Sequence, residues 1–196
     1  MTALLQKSAL WRHTAVGVLH AIKDIPQWLR LHHEIDQNTD IPVDFFGINV
    51  ATSEDPGCDD YVIGALRDLD IQHVRLSYSY DAIGAATERF LLRLLDEGFV
   101  VLLALLPLKK DAASMAIDAQ AQARWRNFVE SVIRLYGARL DAIEIGNTPN
   151  RGRWSGYSAQ SYLATWQIAA KVAEEAGRTL AGPNISDFEP VYNVGF

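Results

Sequence analysis

The sequence predicts an α/β fold: about five βα units of a (β/α)8 TIM-barrel, preceded by a helical extension. Three observations predict it. From Val43 onward, short apolar runs alternate with longer segments of helical periodicity, which calls for parallel strands joined by right-handed crossovers. The run from Phe99 to Leu106 is apolar without alternation, as in a strand covered on both faces. Asn49, Arg75, Tyr78, Tyr80, Asn147 and Asn184 fall at or just beyond the carboxyl ends of predicted strands, where barrels of this type build their sites. The alternative, an open doubly wound sheet, lacks its usual phosphate cradle. No G-x-G-x-x-G follows the first strand, and no G-x-x-x-x-G-K-[ST] occurs in the chain.

The elements follow in order. Residues 1–42 form the helical extension. Leu4, Leu5, Ala9, Val16, Leu19 and Ile22 recur at loosely helical spacing, and Pro26 opens a further segment through Trp28, Leu29 and Leu31. Asn38-Thr39-Asp40 and Pro42 mark a boundary, and residues 43–196 form the barrel-like domain. Phe45 to Val50 reads as the first strand and Tyr61 to Leu69 as the first helix. The acidic stretch Glu54, Asp55, Asp59, Asp60 with Pro56 and Gly57 reads as a turn into that helix, whose amino end favours negative charge. His73 to Tyr78 is the second strand, and Glu88 to Asp96 the second helix, stopped by Gly98. Phe99 to Leu106 is the third strand, Trp125 to Tyr136 a helix ended at Gly137, and Leu140 to Ile145 the fourth strand. Ser158 to Ala176 is the next helix, with Tyr162, Trp166, Ala169 and Ala173 on one face, and Thr179 to Pro183 the fifth strand.

Composition narrows the function. The 196 residues carry a net charge of −6 and are 49% hydrophobic, enough for one sizeable core. No basic stripe exists to neutralise phosphates, which argues against nucleic-acid binding. Cys58 is the lone cysteine, so no intrachain disulfide can form. The amino-terminal apolar stretches are broken by Lys7, Arg12, His13 and Lys23, unlike a secretory signal. The run Phe99 to Pro107 is about half the length of a membrane helix. A cytoplasmic protein without membrane association, metal or cofactor is expected. His32-His33 beside Glu34 point in different directions on a helix and read as a solvated face.

The run Glu144-Ile145-Gly146-Asn147-Thr148-Pro149-Asn150, leading into Arg151-Gly152-Arg153-Trp154, carries the chemistry. It resembles the strand-four motif Glu-x-x-Asn-Glu-Pro-Asn of the large (β/α)8 glycoside hydrolase clan that includes cellulases and xylosidases. The resemblance spans roughly Phe45 to Glu189 and is strongest at strand four. In that clan the second Glu protonates the leaving sugar, and Thr148 stands at its position here. A threonine hydroxyl has no useful acidity near neutral pH, so it cannot act as the general acid. The clan's nucleophile belongs to a seventh strand, beyond the five visible in this sequence. The resemblance further implies that Arg75 stands where the clan's arginine supports the nucleophile, that Asn147 bonds a sugar 2-hydroxyl, and that Trp154 stacks on a sugar face. Tyr78 and Asn184 complete the expected substrate-binding set.

Each of these residues has a plainer reading. Arg75 and Glu144 lie on strands two apart and would complete each other as an interior ion pair. Asn147 before Thr148-Pro149 fits ordinary turn chemistry. Trp154 would serve as a hydrophobic staple onto Tyr162. Tyr78 and Tyr80 would pack at the rim, and Asp187 and Glu189 would be solvated. A full barrel needs about 250 residues, so the chain is expected to be a truncated piece of a longer protein. The alternatives are two half-barrels that self-associate through open edges, or a sheet closed by the amino-terminal helices. The functional expectation is a glycoside hydrolase-like protein, catalytically impaired, that retains part of a carbohydrate-binding face. The alternative is a non-catalytic carbohydrate-binding or protein-interaction module.

Overall fold

The structure, a computed structural model, describes residues 15, 18–19, 22–27, 29–30, 45–81 and 86–186. The chain divides into two compact units, residues 43–184 and residues 1–42 with 185–196. In the smaller unit the described residues between 15 and 30 are helical, and Val18, Leu19, Ile22, Ile25 and Leu29 are exposed. His32, His33, Asp187 and Glu189 lie outside the described residues.

The larger unit runs β1 (Gly47–Val50), α1 (Pro56–Asp68), β2 (His73–Ser79), α2 (Ala86–Asp96), β3 (Val100–Leu106), α3 (Lys109–Ser114), α4 (Ala119–Tyr136), β4 (Ala142–Ile145), α5 (Gly152–Ser155), α6 (Ala159–Glu175) and β5 (Leu180–Ala181). Local chemistry sets the helix ends. Asp55 caps α1 by accepting the Gly57 amide at 2.9 Å, and Pro56 occupies the first helical position, where no amide hydrogen is needed. The helix therefore starts five residues before the expected Tyr61, and the expected turn residues Pro56 and Gly57 belong to it. Asp118 caps α4 through the Gln120 amide at 2.8 Å, which moves that helix start from Trp125 to Ala119. Ser158 and Ser161 form a reciprocal capping box at α6, with bonds of 3.1 and 2.9 Å. Gly98 (φ +85°) and Gly177 (φ +62°) turn the chain after α2 and α6 in the left-handed region that favours glycine.

All five strands are parallel and lie in chain order, β1-β2-β3-β4-β5. A doubly wound sheet must reverse its strand order at a switch point, and this one never does. Successive right-handed crossovers then put every connecting helix on the same face, which is the winding of a (β/α)8 barrel. The described fold is five consecutive strands of such a barrel with the four helical crossovers between them. Burial follows the two faces. Val50, Val74, Leu76, Tyr78, Val101, Leu103, Leu105, Ile143 and Ile145 are buried against Phe90, Leu94, Trp125, Phe128, Val129, Val132 and Val172 of the helices. Because side chains alternate along a strand, Asn49, Arg75, Ser77, Leu102, Ala104, Ala142 and Glu144 occupy the opposite, inner face.

Two expected placements are corrected here. Tyr78 is 2% exposed and stacks on Phe128 with ring centroids 5.7 Å apart, on the helix side of the sheet. Its position is three residues from Arg75, an odd number, so the two point to opposite faces. Asp59, expected in the turn leading into the first helix, lies inside α1, is 2% exposed and accepts Arg89 Nε at 2.7 Å. Arg89 also donates to the Ser53 carbonyl at 2.8 Å, which ties the loop after β1 to α2.

Candidate functional site

A chain of polar groups crosses the inner face near the carboxyl ends of the strands. Arg75 on β2 reaches over β3 to Glu144 on β4. Its Nε donates to Oε2 at 2.8 Å and its Nη2 to Oε1 at 2.7 Å, a two-pronged charge-assisted pair. Glu144 is 5% exposed, and burying a carboxylate is costly without a partner of this kind. Arg75 Nη1 donates to Asn49 Oδ1 on β1 at 2.9 Å and, at 3.4 Å, to Ser77 Oγ. From the other side, Asn184 Nδ2 donates to Glu144 Oε1 at 3.0 Å and to Asn147 Oδ1 at 3.3 Å. Residues from β1, β2, β4 and the segment after β5 thus form one network.

The network fixes two carboxamides and leaves part of them unused. Asn147 and Asn49 each have an acceptor oxygen engaged, while among the described residues no hydrogen bond is made by their Nδ2 groups or by Asn184 Oδ1. These are donors and an acceptor held in place by a charged pair, suited to hydroxyl groups. Glu144 itself is engaged at both oxygens, by Arg75 and Asn184. It is the one carboxylate that the five strands put on this face.

The turn after β4 is built around unusual backbone. Gly146 has φ +75° and Thr148 has φ +48°. A side chain at position 146 would meet the Tyr162 ring at 3.0 Å and the Tyr157 hydroxyl at 3.2 Å. One at position 182 would meet Trp166 at 2.9 Å and the Tyr162 hydroxyl at 3.2 Å. The Tyr162 hydroxyl donates to the Ile145 carbonyl at 3.1 Å. Burial, and then the nearby Glu144 carboxylate, raise its pKa, so it stays a donor. Tyr162 therefore supports the ends of β4 and β5, which carry Asn147 and Asn184. Thr148 is β-branched and half-buried, and the left-handed region is unfavourable for it.

Trp154 lies in the one-turn α5 and is 81% exposed. It does not staple onto Tyr162. Tyr157 takes that role, just ahead of the Ser158 cap, with its ring edge-on to Tyr162 at 5.3 Å. Tyr80 donates to Asp111, a residue 2% exposed whose Oδ1 also accepts Arg124 Nη2 at 2.7 Å. The Arg124 bonds, more than any other influence, hold the Asp111 carboxyl below its usual range, and burial raises the Tyr80 phenol.

Of the residues expected to bind substrate, Arg75, Asn147 and Asn184 come together. Tyr78 is separated from them by the sheet, and Trp154 stands exposed in the loop beyond Asn147. Asn49 and Glu144 were absent from that set. Strand parity carried their signal, because both share a face with Arg75. No group of three or more His, Cys, Asp or Glu gathers among the described residues. None of the described helices is long and apolar enough to cross a membrane.

Comparison with known proteins gives little more than this geometry. No family profile and no curated protein sequence matches the chain. Among solved structures, the chain is similar to one described as L-ribulose 3-epimerase, at 20% identity and a TM-score of 0.47. The match covers 69% of this chain and 48% of that one, so the chain spans about half the length of that protein.

Proposed function

We propose that residues 43–184 present a carbohydrate-binding face of glycoside hydrolase type that does not hydrolyse glycosides by itself. The observation that carries this reading is the pair of carboxamides, Asn147 and Asn184, set on the Arg75–Glu144 ion pair, and the strand-four resemblance adds a threonine, Thr148, where a proton donor would stand. Fixed carboxamides suit the paired hydroxyls of a sugar ring, and an exposed indole suits its C–H face. Hydrolysis needs two available carboxyl groups flanking the glycosidic bond. Here Thr148 is no acid, and Glu144 is held at both oxygens.

Tryptophan fluorescence on titration with a panel of oligosaccharides tests binding, and aryl β-glycosides test turnover. Saturable quenching without turnover is expected, and Thr148→Glu is expected to remain inactive in this chain. Robust hydrolysis by the native chain, or a flat response across the panel, would contradict the reading.

A second reading is self-association. Among the described residues, β1 pairs only with β2, and Phe45, Phe46 and Ile48 are exposed at this edge. Sedimentation velocity checks it, with a concentration-dependent dimer expected and a folded monomer at all concentrations counting against it.

A further inference from the structure

We infer that the face selects acidic sugars, uronate-containing oligosaccharides, through a basic wall made by the joined loops after β3 and β4. This inference rests on the carbohydrate-binding reading above. The chain carries a net charge of −6, yet the loop between β4 and α6, residues 146–158, has no acidic residue and includes Arg153. After β3, the two-residue loop Pro107-Leu108 leads into Lys109 and Lys110, the first residues of α3. Of the two acids between β3 and α4, Asp111 is buried and paired with Arg124, and Asp118 is taken up by capping α4.

The two loops are in contact. Lys109 Nζ donates to the Arg153 carbonyl at 2.6 Å, and a side chain added at Gly156 would meet the Lys109 carbonyl at 2.5 Å. Lys109, Lys110, Arg153 and Trp154 are all exposed, and among the described residues Lys110 and Arg153 form no ion pair. The loops after β1 and β2 have the opposite sign, with Glu54, Asp55 and Asp81 exposed. A ligand bound at the carboxyl ends of the strands therefore has cations on the β3–β4 side and carboxylates on the β1–β2 side. A uronate suits that arrangement. Its ring face stacks on the indole, its hydroxyls meet the amides, and its planar carboxylate matches the guanidinium fork of Arg153.

The test is a matched pair of ligands: an oligogalacturonide and its methyl ester, which keeps the ring and hydroxyls and loses the charge. Calorimetric titration of the full chain is expected to give about tenfold tighter binding of the acid at low salt. That advantage should shrink as ionic strength rises toward about 0.5 M. Lys110→Ala with Arg153→Ala should bring the acid down to the ester's affinity, while Trp154→Ala should weaken both ligands. Equal binding of acid and ester overturns the charge selection and leaves carbohydrate binding standing. An acid preference that survives the double substitution overturns its assignment to this wall. Failure of both ligands, together with a neutral oligosaccharide panel, overturns this inference and the reading beneath it.

Discussion

Two arginine–carboxylate pairs in this chain are close to chemical duplicates and differ in what surrounds them. Asp111 accepts both prongs of Arg124 and a third bond from the Tyr80 hydroxyl. Glu144 accepts both prongs of Arg75 and a third bond from Asn184. The first cluster ends there. Tyr80 has its ring against Phe128, and the group braces the end of β2 to α3 and α4. The second continues through Asn184 to Asn147 and through Arg75 to Asn49, each with polar atoms left over. The same ion pair serves as a brace where its third donor terminates in packing. In the proposed reading it serves as the base of a site where its third donor is a carboxamide with hydrogen bonds to spare.

The sharpest way to break this comparison is to remove one partner from each pair. Arg75→Ala strands a buried carboxylate and is expected to cost about 3–5 kcal/mol in urea unfolding. Replacing both Arg75 and Glu144 by methionine should recover most of that stability, since no charge is left unpaired, while abolishing ligand binding. Stability and binding that fall together in the double variant would mean the pair is only a brace.

Asp111→Asn should cost less, about 1–3 kcal/mol, because Arg124 is more exposed than Arg75 and regains water. It should leave ligand affinity intact. It also predicts a pH signature. The Asp111 pKa is lowered from its ordinary 3.8, mainly by the Arg124 bonds. Its contribution is therefore full above that value and is lost as pH falls through the lower folded value. Urea midpoints of the wild type should drop on acidification below about pH 4, and Asp111→Asn should show a shallower drop.

The support of the site gives smaller effects. Tyr162→Phe removes the bond to the Ile145 carbonyl at a cost of about 1 kcal/mol and should weaken ligand binding by loosening Asn147 and Asn184. Thr148→Asn should raise stability by roughly 0.5–1 kcal/mol, because asparagine tolerates the φ of +48° better than a β-branched residue. A thermal melt shows the sign directly.

Much of this was legible in the sequence, and the misreadings have definite causes. The five strands and four of the helices were visible as alternating periods. The Arg75–Glu144 pair was foreseeable because two charged residues on interior strands require each other. The six-residue α3 was missed, since one and a half turns show no period. The start of α1 was misplaced because Pro-Gly reads as a turn, although proline is welcome at the first helical position. Tyr78 was grouped with Arg75 because both fall toward the carboxyl end of the second strand, when alternation along β2 sends it to the opposite face. Asn49 was legible by the same rule but needed the β1–β2 register to bring it within reach of Arg75. The bonds from Asn184 to Glu144 and Asn147 join groups 40 and 37 residues apart, and no local pattern encodes them.

The most direct test of the central claim is the side-chain amide spectrum of the labelled protein during oligosaccharide titration. The carboxamide signals of Asn49, Asn147 and Asn184 and the indole of Trp154 are expected to shift together along one binding curve, while the Trp125 indole, bonded to the Thr165 carbonyl in the core, stays still. Saturable binding that moves other signals and leaves those carboxamides unchanged would contradict it.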